Sequence, residues 1–283
     1  MDPGGSDNAV TVAAVQMNSG HELRRNLATT ATLIAEASQR GARLAVLPEN
    51  FAYLGLDERD KVSLAEDEGA GEIQDFVANL ARENSLWIIA GSVPLRSPDP
   101  KRCFGASIVF DDDGCLRCCY RKMHLFDVDL PGRDEAYRES ATMYPGGDIR
   151  SCDTPLGRVG LSICYDLRFP ELYRKLVDEG ATAFTVPSAF TATTGSAHWQ
   201  PLLRARAIEN LAYVIAPGQS GRHSNGRTTY GHSMIVGPWG DVIAELEDGE
   251  GVVVARLYPD LPAKLRDEFP VHRHRRITSG ERK

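Results

Sequence analysis

Apolar runs of strand length alternate along this chain with amphipathic stretches of helix length. TVAAVQM (11–17) is a short, continuous apolar run and predicts a buried strand. ELRRNLATTATLIAEASQRG follows with helical periodicity, and Gly41 supplies its C-cap. RLAVLPENF then reads as a strand, EIQDFVANLARE as a helix, and LWIIAGS as a strand. FGASIVFDDDG gives a strand and turn, and CLRCCYRK a further strand. After a loop rich in Gly, Pro and charge, the order restarts. RVGLSICYD is a strand and PELYRKLVDEG a helix with Pro170 near its first turn. TAFTVPSAF is a strand, PLLRARAIEN a helix, AYVIAPG a strand, and YGHSMIVGPWGDVIAEL a hairpin.

The two halves share details as well as order. Phe104-Gly105-Ala106-Ser107-Ile108-Val109-Phe110 with Gly114 parallels Tyr230-Gly231-His232-Ser233-Met234-Ile235-Val236 with Gly240. LAVLPENF likewise parallels AFTVPSAF, with Pro48 and Pro187 at the strand ends. Two features repeated in one order point to an internal duplication. Apolar strands such as LAVL and LWIIA need cover on both faces. Two sheets packed face to face, each with its helices outside, provide it. The expected fold is therefore α/β, a four-layer α-β-β-α sandwich with an internal pseudo-twofold. It forms one domain over residues 10–276, with flexible termini at 1–9 and 277–283.

Composition narrows the function. The 283 residues are 42% hydrophobic and 25% charged, which suits a soluble protein with a sizeable core. Lys and Arg number 32 against 39 Asp and Glu, a net charge of −7. That balance does not favour nucleic acid or an anionic membrane as partner. No apolar stretch approaches the ~20 residues that span a bilayer. The start, MDPGGSDNAV, lacks the charged and apolar regions of a secretion signal, so the cytoplasm is the expected location. The six cysteines are then expected as reduced thiols. GCLRCC has no second pair of ligands that would complete a zinc site, and reads as a strand with thiols on both faces. VHRHRR reads as a solvated basic tail.

Three residues stand where a predicted strand gives way to a loop: Glu49 after LAVLP, Lys122 after CLRCCYR, and Cys164 after VGLSI. A rigid strand aims a side chain while the loop keeps it reachable. Together they permit nucleophilic catalysis. A thiol becomes reactive when a cation stabilises the thiolate, which Lys122 could do, and Glu49 could take the thiol proton. Singly, each has a duller explanation: a small buried hydrophobe, a loop charge, a solvated basic pair.

The wording of the segments favours chemistry. LPENF, RKMHLFDVDLPG and GLSICYDLRFPELYR resemble the three signature segments of the nitrilase, or carbon-nitrogen hydrolase, superfamily. PSAFTATTGSAHWQPLLRARAIEN and YGHSMIVGPWG continue the resemblance, which runs from about Val12 to the HRHRR tail. It implies the same α-β-β-α fold and a Glu–Lys–Cys triad at Glu49, Lys122 and Cys164. It also implies a second site glutamate, for which Glu139 in PGRDEAYRES fits best and Glu135 competes. Cys164 would attack a carboxamide carbonyl while Glu49 accepts its proton. Lys122 and the N–H of Tyr165 would stabilise the oxyanion. Ammonia would leave, and water would release the acid from a thioester. No metal or organic cofactor is required.

GQSGRHSNGRTTYGHSM is most similar to the branch that hydrolyses deaminated glutathione, with the ω-amidases of α-ketoglutaramate close behind. Both substrates are small anionic carboxamides, so a cation is expected to bind them. Arg168, Arg222 and Arg227 are candidates, and Phe190 and Thr194 are expected in the pocket wall. Nitrile or N-carbamoyl hydrolysis and a catalytically silent binding module are the alternatives. The family's habit of assembly implies a homodimer or higher homo-oligomer, with PELYRKLVDEG and PLLRARAIEN as the contact.

Overall fold

The computed structural model describes residues 8–129 and 136–277. The termini expected to be flexible fall almost wholly outside these residues, as does Glu135. The first half runs β1 (Val10–Gln16), α1 (Leu23–Gln39), β2 (Leu44–Val46), α2 (Asp60–Ser63), α3 (Glu72–Asn84), β3 (Trp87–Arg96), β4 (Cys103–Phe110) and β5 (Leu116–Arg121). A small antiparallel pair, β6 (Asp127–Asp129) and β7 (Ala136–Arg138), then leads into a 3-10 turn at Glu139–Ala141. The second half holds β8 (Ser151–Thr154), β9 (Gly157–Leu161), a 3-10 turn at Cys164–Arg168, α4 (Pro170–Asp178), β10 (Ala183–Thr185), α5 (Ala192–Asn210) and β11 (Tyr213–Ala216). It closes with β12 (Ser220–Arg222), β13 (Thr228–Tyr230), β14 (Ser233–Val236), β15 (Val242–Leu246), β16 (Gly251–Leu257) and α6 (Leu261–Glu268).

The strands form two six-stranded sheets, ordered β16-β1-β2-β3-β4-β5 and β15-β14-β11-β10-β9-β8. Read from opposite ends, they have one topology. β1-β2-β3 are parallel, joined through α1 and α3, and β4 and β5 then add antiparallel. β9-β10-β11 are parallel, joined through α4 and α5, and β14 and β15 add antiparallel. The repeated FGASIVF and YGHSMIV segments occupy equivalent strands, β4 and β14. Their trailing glycines, Gly114 and Gly240, take left-handed φ values of 76° and 88° at the two hairpin turns. The duplication legible in the sequence is thus a duplication of the sheet.

Side-chain alternation in the first sheet builds the layers. Ala13, Val15, Ala45, Ile88 and Ala90 pack with Ile34 and Ala37 of α1 and Val77 of α3. Val12, Ala14, Leu44, Val46 and Ile89 point the other way, into a core shared with β9, β10, β11 and β14. Leu172, Leu176, Trp199 and Leu203 of α4 and α5 belong to that second core. Cys118 and Cys119 of GCLRCC follow the same alternation and pack in different cores.

Several elements differ from the sequence reading. The helix expected to start at Pro201 begins at Ala192, capped by Thr191, whose Oγ1 accepts the Thr194 N–H at 3.2 Å. Pro201 lies inside it. The lost backbone donor is tolerated because Trp199, Leu203 and Ala207 anchor the same helix in the core. The outer strands β8 and β16 and the short pieces α2, β6, β7, β12 and β13 were not foreseen. Among the described residues, no helix is long and apolar enough to cross a membrane.

Candidate active site

β2 and β10 are only three residues long because Pro48 and Pro187 cannot donate to a ladder. Past Pro48 the chain turns out of the sheet at Glu49 and Asn50. Asn50 sits at φ 59°, and its N–H donates to Ser92 Oγ at 2.8 Å. Glu49 is tied to the second half as well: Gln219 Nε2 donates to its carbonyl at 3.0 Å, and its Oε2 accepts the Ala189 N–H at 2.8 Å.

Lys122 follows β5, its N–H donating to Gly105 O at 2.8 Å. Nζ lies 2.8 Å from Glu49 Oε1 and 2.8 and 2.9 Å from the two oxygens of Glu139. Glu139 opens its 3-10 turn, and its Oε2 also accepts the Phe126 N–H at 2.6 Å. Lys122 is 2% exposed and Glu49 5%. The structure thus brings Glu139 into contact with Lys122.

β9 ends at Leu161, so Cys164 stands three residues beyond the strand, at the first position of a 3-10 turn. Its φ of +50° is left-handed, a strained conformation for a residue with a Cβ. Two anchors over-determine it. The Cys164 N–H donates to Pro187 O at 2.9 Å. Asp166, fully buried, accepts the Ile163 N–H at 2.9 Å, the Tyr120 hydroxyl at 2.7 Å and the His124 N–H at 3.0 Å, and sits 2.7 Å from His124 Nδ1. The turn that carries Cys164 is therefore bound to the strand end that carries Lys122.

The charges are arranged as an ion triplet. Burial works to raise the Glu49 pKa, but the charge and hydrogen bond of Lys122, with help from Cys164 and Arg227, bring it below its ordinary value. Burial works to lower that of Lys122, and Glu139 and Glu49 overcome it, holding the ammonium charged well above its usual range. Cys164 goes the other way. Burial first, then the charge of the nearby Glu49 carboxylate, raises the thiol far above 9.0 against the opposing pull of Lys122. A lysine shared between two carboxylates cannot by itself stabilise a thiolate. The resting nucleophile is a neutral thiol with the expected base, Glu49, beside it.

Cys164 lines a cavity of about 170 Å³ together with Glu49, Lys122, Glu139, Phe126, Tyr137 and Arg227. A smaller adjoining lobe is walled by Tyr165, Arg168, Phe190 and Thr194. Arg168 stacks its guanidinium over Tyr165 and Phe190, at 5.7 and 5.3 Å from the ring centres, and its Nη1 is 3.2 Å from His198 Nδ1. Arg222 is not brought there: it is exposed on β12, beside His21 and Arg25 in a separate depression. The chain reverses between β12 and β13, and it is Arg227, just before β13, that reaches the cavity. Lys61 and Glu58 line it too. Nothing in the sequence flagged them, since α2 is too short to show a period. Among the described residues no three His, Cys, Asp or Glu side chains are grouped to hold a metal ion.

Comparison with known proteins shows the family and the fold. The carbon-nitrogen hydrolase family profile matches residues 11–266. The deaminated glutathione amidase of Bos taurus is 42% identical over 94% of this chain and 81% of its own length. The crystal structure of the C. elegans NitFhit protein superposes with a TM-score of 0.88 at 38% identity, covering 95% of this chain and 65% of that one. A mutant amidase from Nesterenkonia, with the acetamide moiety of fluoroacetamide added covalently at its active-site cysteine, superposes at 0.77 with 25% identity, over 95% of this chain and 98% of its own.

Proposed function

The chain belongs to the carbon-nitrogen hydrolase family, and from that membership we propose that it is an amidase that cleaves deaminated glutathione through a thioester on Cys164. One observation carries the reading: a buried thiol beside a carboxylate that is itself paired with a buried ammonium, on the wall of a cavity. The relatives named for deaminated glutathione support the substrate.

Glu49 removes the Cys164 proton as the sulfur attacks the amide carbon. The carbonyl π electrons move to oxygen, where Lys122 and the Tyr165 N–H stabilise the charge; one such donor contributes ~10²–10³ in rate. As the tetrahedral adduct collapses, the C–N bond breaks and Glu49 returns the proton to the departing nitrogen. Glu49 then deprotonates water, which attacks the thioester, and returns that proton to the expelled Cys164 sulfur. Glu139 holds Lys122 in place. Tyr165, Arg168, Phe190 and Thr194 bound the substrate around the nucleophile.

The leaving group needs a correction. Both amide nitrogens of deaminated glutathione are peptide nitrogens, so cleavage at its acyl chain releases the cysteinylglycine amine and not ammonia. Ammonia would leave only from a primary amide such as α-ketoglutaramate. Mass spectrometry of the products from deaminated glutathione, α-ketoglutaramate, an N-carbamoyl amino acid and an aliphatic nitrile therefore tests the reading directly. Cysteinylglycine is expected, with no product when Cys164 is Ala. No turnover of any of the four would favour a binding module. The six free thiols fit a reducing, cytoplasmic location, and the helical face of α4 and α5 is where a homo-oligomer would form.

A further inference from the structure

Lys61 is a buried ammonium that the chemistry above leaves unused. It lies on α2, 8% exposed, with Nζ 2.7 Å from Glu58 Oε2. The Glu58 side chain is 49% exposed, so it recovers little of what burying an ammonium loses in solvation. A cation held this way has spare capacity for a second anion. Both residues line the cavity that reaches Cys164.

The segment around Lys61 is fixed with respect to Arg227. Asp60 Oδ2 accepts the Tyr53 hydroxyl at 2.9 Å and the Asp57 N–H at 3.3 Å, which shapes α2. Asn225 then joins the two: its Nδ2 donates to Gly55 O at 3.0 Å, and its Oδ1 accepts the Arg227 N–H at 3.0 Å. Arg227 Nη2 donates to Ala189 O at 2.5 Å, its Nε is buried without an acceptor, and among the described residues no carboxylate pairs with it. Of the other charges on the cavity wall, Glu49 and Glu139 are taken by Lys122, and Arg138 by Asp129 at 2.6 Å. Two cations, Lys61 and Arg227, thus act on one half-exposed carboxylate, Glu58, whose ionised form is favoured by Lys61 and further by Arg227 and Lys122.

We propose that Lys61 and Arg227 form the seat for the carboxylate of the substrate's acyl group, and that Glu58 occupies this seat in the free enzyme and yields it on binding. The proposal rests on the amidase reading, of which it names the specificity element. A 2-oxo acyl group presents only negative and dipolar atoms to the two cations. The corresponding amino acid would present an ammonium there, and like charges repel it. The seat therefore favours the deaminated acyl group over its aminated parent.

Calorimetric titration of the Cys164→Ala protein with 2-oxoglutarate and with L-glutamate tests this without turnover. 2-Oxoglutarate is expected to bind more tightly than L-glutamate. Lys61→Gln in that background should weaken 2-oxoglutarate by about tenfold or more and narrow the difference. Glu58→Gln should tighten it, because the internal competitor loses its charge. Lys61→Arg should keep most of the affinity, and thermal melts should show each variant folded. No 2-oxoglutarate binding to the parent, an unchanged affinity in Lys61→Gln, or weaker binding in Glu58→Gln would each overturn the seat. Failure of the unmodified enzyme to cleave any amide would instead overturn the amidase reading, whatever the titrations give.

Discussion

The chemistry at Cys164 is decided by which proton sits where before substrate arrives. With Glu49 below its ordinary value and the thiol above, the resting pair is carboxylate and thiol. The ultraviolet absorbance of a thiolate, taken as the difference between the unmodified protein and Cys164→Ala, should therefore be absent at neutral pH; a clear thiolate band would show that Lys122 prevails over burial. Lys122 separates two carboxylates, so its loss is structural as well as catalytic. Lys122→Ala leaves the buried Glu49 facing the partly buried Glu139 with no cation between them, a loss of about 3–5 kcal/mol by the measure of broken buried pairs. Chemical denaturation should show that loss, with activity falling ~10²–10³-fold from the missing oxyanion donor alone. Glu49, Lys122 and Cys164 were legible because each sits in a distinctive run of sequence. Asp166 lies in the same run as Cys164, yet its role was not legible. It works through Tyr120 and His124, more than forty positions away, and only the packing of two sheets brings them together.

At the scale of elements, what reads from sequence is what a period encodes. α1, α3 and α4 and the buried strands were read from apolar spacing, and the duplicated hairpins from their repeated glycines. α5 was read nine residues late because Pro201 signals a first turn more often than an interior position. Here the local preference was outweighed by Trp199 and Leu203 in the core. The pieces of three or four residues, α2, β12 and β13, carry no period, and they bring Lys61 and Arg227 to the cavity. One strand position controls the site directly. Gly91 lies where β3 bulges beside the end of β2, and a Cβ there would stand 1.9 Å from Pro48 O, one residue before Glu49. Backbone cannot give way as a side chain would, so the strand or the Pro48–Asn50 turn must move. Gly91→Ala should lower the melting temperature and depress kcat more than it raises KM, since the base is displaced before the binding walls are. A variant with normal kcat would mean that β3 shifts and leaves Glu49 in register.

For the whole molecule, the site is a product of the two halves meeting. Glu49 and Lys122 come from the first sheet, Cys164 from the second, and Gln219 of the second half ties the Glu49 turn down. Stability depends on pH at both ends, through the Lys122 pair on the acid side and through burial on the alkaline side. Glu49 is ionised in the folded state below the pH where it would protonate in the unfolded chain. Its contribution is therefore complete above 4.5 and is lost as pH falls through the lowered value. The alkaline side carries more groups. Burial lifts Cys103 to about 11 and Cys119 to about 12, and Cys164 is raised as well, each from 9.0. Folded protein keeps these protons where the unfolded chain releases them, so stability is fully present below 9.0 and declines as pH rises toward the folded values. Lys122 adds its own loss only above 10.5. In urea unfolding under reducing conditions, stability should therefore start to fall near pH 9, before any lysine titrates. Replacing Cys119 with Ser, away from Cys164, removes one of these protons and should make the decline shallower by about 1 kcal/mol per pH unit. A decline of unchanged steepness would mean that the Cys119 thiol ionises as readily in the folded sheet as in the open chain.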